Sequence, residues 1–445
     1  MVLKLLNDWF GVYLQRRLIV IALLGFSCGI PYFLTSSTLM FWLTELGYDR
    51  PTAGLFNMAT MPYALVFLWA PFIDRMGLPG LTKYFGRRRA WLLFSQMGLI
   101  ISLCSVYFIG PEFWLMLVVA GFAATQNTVF LAFQMETLPK SNYGPGEGIG
   151  IVGARMGMLL GYYAAPKLSI YMSWELAYLS MGLMVLVGVI TTLRVQEPKP
   201  VISQETLRIE KHASDYLHSH PRISPRIATG LSWLYASVVC PFADFMKRRG
   251  WLAALGIMVF YKFGDNIIGT MSNRMYLELG YTLSETADAT KLFGMIASLT
   301  GGLVGGVLIT RIGFLRSLLY FGIIHMFATC MYIVNFYAGH DIPILYLSVA
   351  IEHFTAGMRT GALFSYQLTL SNPVYAATQL ALLTSLVNLG RTVFSSSSGY
   401  LVDYLGWANF YGVAIFATIP ALLICIYLMR LNKEPLFKRQ VLQIS

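Results

Sequence analysis

Twelve membrane-spanning α-helices in two pseudo-symmetric halves of six, an all-α integral membrane fold, are what this chain predicts, and three observations predict it. Mean hydropathy is +0.62 and charged residues make up 12%, about half the soluble norm near 25%. Twelve apolar runs approach or exceed the roughly 20 residues that a bilayer crossing requires. A polar, proline-bearing stretch then divides those runs into six and six.

The first six runs cover 18–42, 51–73, 90–110, 112–135, 146–170 and 174–194, giving an N-terminal bundle over 18–194. The second six cover 251–273, 287–310, 316–338, 343–368, 377–402 and 407–430, giving a C-terminal bundle over 251–430. Residues 1–17 place Leu3, Leu6, Trp9, Phe10 and Tyr13 beside Arg16 and Arg17, as suits an amphipathic helix lying at the interface. Residues 195–250, with Pro198, Pro200, Pro221 and Pro225, read as a cytoplasmic linker, and 431–445 as a cytoplasmic tail. The spans consume most of the chain and leave no room for a sizeable soluble domain.

The formal net charge of +11 could suggest nucleic acid, but a polyanion binder gathers its basic residues on one water-soluble face. Here they alternate between loops. With both termini placed in the cytoplasm, 24 of the 32 Lys and Arg fall in loops on that side and three, Arg50, Lys167 and Arg274, on the other. The positive-inside rule fixes that orientation. Nucleic acid is therefore excluded as a partner and the bilayer is implied.

Five cysteines, Cys28, Cys104, Cys240, Cys330 and Cys425, have no paired spacing, so neither a disulfide framework nor a metal site is expected. The linker histidines His212, His218 and His220 lack ligand partners. No cofactor is called for. A membrane-embedded transferase needs a nucleophile or base with a partner near the interface, and His325, His340 and His353 stand isolated in the sequence.

Polar residues inside the spans point to a solute pathway. Lys262, Asp265, Asn266 and Asn273 recur at spacings of three, four and seven along LGIMVFYKFGDNIIGTMSNR, one stripe of a helix. A full charge at mid-bilayer depth costs from about 2.5 to more than 10 kcal/mol, so that stripe faces other helices or water. The tenth run carries Glu352, His353 and Arg359; the eleventh carries Gln379, Ser385, Asn388, Arg391 and Ser395. Arg155, Lys262, Lys291, Arg359 and Arg391 outnumber Asp265 and Glu352 within the runs. Unpaired buried cations are costly, so an anionic solute is expected to complete the site. Gly153, Gly157 and Gly161 form a small-residue ladder suited to close helix packing.

Between the second and third runs lies Trp69-Ala70-Pro71-Phe72-Ile73-Asp74-Arg75-Met76-Gly77, then Gly86-Arg87-Arg88-Arg89. This resembles the cytoplasmic loop signature of the major facilitator superfamily, stretched by Leu78 to Phe85. An Asp at a helix end can hold a neighbouring helix N-terminus and an arginine, so Asp74, Arg75, Arg87 and Arg88 are candidates for a gating latch. Together with Gly25-Phe26, Gly29, Pro31 and Leu34-Thr35-Ser36, with Tyr261-Lys262-Phe263-Gly264-Asp265, and with Ala377-Thr378-Gln379 and Arg391, the chain is similar to the AmpG family of muropeptide permeases from its first span to its twelfth.

That resemblance implies a twelve-span major facilitator fold in a bacterial inner membrane. It also implies import of N-acetylglucosaminyl-anhydro-N-acetylmuramyl peptides from cell-wall turnover, driven by protons. Peptide carboxylates on such solutes suit a cationic interior. The chain departs from family members in having Gln126-Asn127 and Leu131 where aspartates are usual, Arg359 where glycine is usual, and a longer linker.

The expected site therefore has Lys262, Lys291, Arg359 and Arg391 facing substrate carboxylates. Asp265 and Glu352 are the proton-carrier candidates, and Gln126, Asn127 and Gln379 are placed to bond sugar hydroxyls or amides. The expected partners are an anionic sugar-peptide, protons and lipid, with the carrier a monomer. The alternative is a diverged carrier or exchanger for another organic anion, such as a nucleotide, CoA ester or organic acid.

Overall fold

A computed structural model describes residues 11–48, 56–198, 235–282, 285–286, 288–396 and 398–432. Most of the expected interfacial helix, most of the linker and the tail lie outside the described residues. Grouped across their breaks, the helices form twelve rods. In order these are 16–45, 56–75, Arg87–Ile109, Phe113–Thr137, 143–171, Trp174–Arg194, 251–278, Asp288–Ile312, Phe314–Ala338, Ile342–Leu370, 376–405 and 407–431. They are the first to twelfth spans below. No strand occurs among the described residues.

Eight helical stretches are long and apolar enough to cross a membrane by length and composition. The fifth span is not among them, because GPGEGIGIVGARMG dilutes its apolar content with glycine, Glu147 and Arg155. Large apolar side chains cover the outside: Phe108, Ile170, Phe327 and Tyr404 are each more than half exposed, as a bilayer solvent permits. The protein is a multi-pass membrane protein.

The glycine ladder packs the first span onto the fifth. A Cβ at Gly153 would stand 2.0 Å from the Ala22 carbonyl oxygen, and one at Gly157 would stand 2.0 Å from that of Phe26. The eighth and tenth spans repeat the device, with Gly301 against Phe354 and Gly357 against Ser298. Backbones this close leave no room for a side chain, the small-residue packing that membrane helices favour. Each half keeps its own apolar clusters, one around Trp42, Leu103 and Tyr178 and another around Ile257, Leu318 and Leu422.

A further cluster joins the halves. Ile73, Leu92 and Phe133 of the first half pack with Leu368, Ala376 and Leu380 of the second, at the end of the bundle that bears the arginine-rich 87–89 segment.

Breaks in the rods set the polar groups. The first span is interrupted at Thr35–Ser36, and its hydroxyls turn to protein carbonyls: Ser36 to Tyr32 (2.9 Å) and Thr38 to Gly161 (2.7 Å). The seventh is interrupted at Tyr261–Lys262, where Lys262 leaves helical geometry and a new helix, Phe263–Glu278, begins with Asp265 in its first turn. Carboxylates are favoured there by the exposed backbone amides and the helix dipole. Gly406, with φ +72, turns the eleventh span into the twelfth, a backbone conformation that side-chain-bearing residues rarely adopt.

Candidate functional site

The second half holds a charged cluster built from three spans. Asp265 of the seventh accepts on one oxygen, Oδ1, from Arg359 Nη1 at 2.6 Å and from His325 Nε2 of the ninth at 3.0 Å. Arg359 is fully buried and its guanidinium lies over the Tyr261 ring, 4.6 Å from the centroid. The Asp265 side chain keeps 24% of its surface exposed, against 2% for His325 and none for Arg359. Of the three, the carboxylate is the least buried.

Around this core, Lys262 lies near Asp265 and places its ammonium 5.9 Å from the Phe364 ring. Glu352 Oε2 lies 2.6 Å from Nδ1 of its neighbour His353, an ion-pair distance without hydrogen-bond alignment. Glu352 also feels the charges of His325 and Asp265. The cluster thus includes four residues named from the sequence, Lys262, Asp265, Glu352 and Arg359. The side chains of Lys291 and Arg391 lie outside what the structure describes.

Two expectations are corrected here. Arg359 does not present a free charge: it is bonded to Asp265, a carboxylate 94 residues away that no helical spacing could pair with it. A buried guanidinium held by one carboxylate is far cheaper than an open one. Among the described residues its Nε and Nη2 nevertheless find no well-aligned hydrogen-bond partner. Arg155, counted among buried cations, is exposed.

The latch forms at the arginine-rich end. Asp74 Oδ1 accepts from Arg88 Nη2 (2.8 Å) and the Ala377 amide (3.0 Å). Its Oδ2 accepts from the Thr378 amide and hydroxyl, both at 2.7 Å. Arg88 continues to Glu136 at 2.6 Å, and all three charged side chains are buried. Arg87 bonds the Asp74 carbonyl and lies 3.5 Å from Glu136. Arg75 stands over the Tyr375 ring at 5.5 Å. Four donors on one carboxylate satisfy its lone pairs, which makes burial of the charge tolerable.

Gln379 belongs to this end rather than to a substrate chamber. It is 2% exposed and spent on protein, accepting from the Asn372 amide (2.6 Å) and donating to Pro241 O (2.9 Å) and Asp244 Oδ2 (3.0 Å). Asp244 lies in Cys240–Met246, so the final part of the stretch read as linker is a helix that braces the eleventh span. Gln126 is likewise corrected: it is fully buried and donates to Ser27 Oγ at 2.9 Å, inside the first half. Asn127, one residue round the helix, is half-buried.

Sequence reasoning missed His325, Thr355, Glu136 and Thr378, whose partners come from other spans. It also missed Glu147, which is buried and accepts from Gln134 Nε2 at 3.1 Å. A titratable residue inside an apolar run was the available signal, and for Glu147 the surrounding glycines drew attention to packing alone.

The "Major Facilitator Superfamily" model matches residues 21–262, more than half of the chain. The anhydromuropeptide permease of Escherichia coli K12 is 30% identical over 430 residues, 94% of this chain and 81% of that protein. "Putative transporter AmpG 2" of Rickettsia felis is 30% identical over 421 residues, 92% and 94% of the two chains. Among solved structures, the major facilitator transporter FucP in its outward conformation superposes with a TM-score of 0.67 at 13% identity, covering 93% of this chain and 98% of that one. With the twelve rods, the interhalf latch and the charged cluster on the page, the chain belongs to the major facilitator superfamily and, within it, to the AmpG-type muropeptide permeases; it is a transporter and not an enzyme.

Proposed function

We propose that this chain imports anionic anhydro-muropeptides across a bacterial inner membrane, with both termini cytoplasmic and with proton movement coupled to substrate movement. The observation that carries the reading is the Asp265–Arg359–His325 cluster with Lys262 beside it: a polar core whose carboxylate is only partly covered by protein, set at a break in the seventh span. Kinship with the Escherichia coli permease supports the substrate class. The Asp74 latch supports alternating access, because it ties the halves together at one end. By the positive-inside rule that end is cytoplasmic, so the present state is closed toward the cytoplasm.

In this reading the substrate carboxylates approach Lys262 and the unpaired N–H groups of Arg359, exchanging some of their partners for substrate oxygens. Release follows when Asp74 lets go of the eleventh span and the halves rock. Reconstituted protein should accumulate labelled anhydro-muropeptide when the vesicle lumen is made alkaline. Lys262→Ala should cut that rate about tenfold or more, the loss of one charge-assisted contact worth about 1.5–3 kcal/mol, with membrane abundance unchanged. Transport that ignores the pH gradient and exchanges a nucleotide, CoA ester or organic acid instead would establish the alternative carrier.

A further inference from the structure

We propose that His325 binds the coupling proton in the second half, with the Thr355 hydroxyl as the switch that accommodates its two charge states. This rests on the proton-coupled reading above and adds to it a site that reading does not contain. His325 is 2% exposed, and both of its ring nitrogens are engaged: Nε2 with Asp265 Oδ1 at 3.0 Å and Nδ1 with Thr355 Oγ1 at 2.9 Å.

The two partners differ in kind. The Asp265 carboxylate, held by Arg359 at 2.6 Å, can only accept, so Nε2 carries hydrogen in either charge state. Thr355 can do either. Its Oγ1 lies 2.9 Å from both the Ile351 and Glu352 carbonyl oxygens. With its single hydrogen on a carbonyl, the hydroxyl oxygen accepts from Nδ1–H, and the ring is an imidazolium. With that hydrogen turned onto Nδ1, the ring is neutral and the carbonyls keep only their helical bonds. One proton and one hydroxyl rotation separate the two arrangements, and no heavy atom has to move. A buried histidine whose Nδ1 met a backbone carbonyl would have no such second state.

Protons can reach the ring. Asp265, in direct contact with Nε2, is the least buried of the three charged partners at 24% exposed, so a proton route to the imidazole would run through it. Among the described residues, the titratable and charged groups around the site are Lys262, Asp265, Tyr261 and Tyr276 from the seventh span, Glu352, His353 and Arg359 from the tenth, Tyr332 on the ninth itself, and Cys425 and Tyr411 from the twelfth, Tyr411 stacking on Tyr332. Lys262 and Arg359 balance Asp265 and Glu352, with His353 beside Glu352. A proton on His325 adds one positive charge to the cluster, and added positive charge attracts an anionic solute. Each of the two ligands strengthens the other, because linkage is reciprocal.

The test begins without substrate. In liposome-reconstituted protein labelled with 15N-histidine, the His325 ring is identified by its loss in His325→Gln. It should pass from doubly protonated to the Nε2–H tautomer as the medium is made alkaline. Thr355→Val, which can neither donate nor accept, should shift that transition, while Thr355→Ser keeps it. A ring locked in one protonation state, or a Thr355→Val ring that titrates as in the parent, overturns the proposal.

Transport supplies the second arm. His325→Gln should lose accumulation of labelled anhydro-muropeptide driven by a pH gradient, whereas Thr355→Ser should keep it. Gradient-driven accumulation at the parent level in His325→Gln, or its loss in Thr355→Ser, also overturns the proposal. If the ring titrates but the parent protein moves no muropeptide, the substrate reading fails and the proton site stands.

Discussion

Asp74 caps a helix that belongs to the other half of the molecule: its Oδ2 accepts both the amide and the hydroxyl of Thr378, each at 2.7 Å. The second span thereby holds the first turn of the eleventh, where backbone amides lack helical partners and the dipole favours an anion. Arg88 and Glu136 anchor the carboxylate from the side of the first half.

Breaking this cap should bias the carrier toward opening at that end. Asp74→Ala leaves the Ala377 and Thr378 amides without their acceptor in a buried place, about 1–3 kcal/mol each, while Arg88 keeps Glu136. Spin labels at exposed positions 84 and 249 should report a longer separation in the variant than in the parent, and muropeptide uptake should fall at least tenfold. An unchanged distance distribution would remove the latch from the mechanism.

Two glycine-to-alanine changes should act in opposite directions. Gly153→Ala sets a methyl 2.0 Å from the Ala22 carbonyl oxygen and should lower stability by about 3 kcal/mol or more. Gly121→Ala meets nothing within 4 Å and should gain up to about 1 kcal/mol from helix propensity. Thermal melts in one detergent would order the two variants on either side of the parent protein.

Glu197 gives a pH prediction outside the spans. Its carboxylate caps the third span through the Arg88 and Arg89 amides, at 2.7 and 3.0 Å. Burial, the largest influence, raises its pKa above the ordinary carboxylate value despite those bonds. A raised carboxyl pKa means the folded form holds the proton longer, so this group's contribution to stability is present below its unfolded pKa and is lost as pH rises through the folded one. Glu197→Gln should therefore flatten the decline of melting temperature across that acidic window, and Glu197→Ala should cost about 1 kcal/mol as a lost cap. An identical slope in the parent and the Gln variant would count against it.

The Asp265–Arg359 pair should reveal itself by non-additivity. Asp265→Asn or Arg359→Leu alone strands a buried charge, at about 3–5 kcal/mol each, whereas the double variant should recover much of that. A melt series on the four proteins gives the coupling directly, and simple additivity would mean that the two charges are stabilised by other groups.

The spans were legible because twenty-residue apolar runs leave few alternatives, and one side of the latch because Asp74, Arg87 and Arg88 belong to one loop motif, whereas its partners Glu136 and Thr378 lie on other spans. Glycine spacing also revealed which helix faces come close. What periodicity cannot supply is the partner of a polar group on another helix. Arg359 looked like an open cation because Asp265 is 94 residues away. Gln379 and Gln126 looked like solute ligands because an amide in an apolar run reads the same whether it meets a sugar or Asp244. His325 was passed over because a lone histidine gives no hint that a carboxylate and a hydroxyl will bracket its ring.

Where the fifth and eighth spans cross, the halves touch through bare backbone: a Cβ at Gly144 would stand 2.7 Å from the Gly306 oxygen, and one at Gly148 would stand 2.9 Å from that of Gly302. Beyond Ile309 and the Tyr13 hydroxyl, which donates to the Leu303 carbonyl at 2.7 Å, such a seam has few interlocking teeth, so one half can pivot on the other like a nearly smooth bearing, with little to unpack at each turn. The same smoothness makes it a point of control. A single methyl wedged at Gly148 would act as a spacer, tilting the resting balance of the carrier while leaving its charged centre untouched.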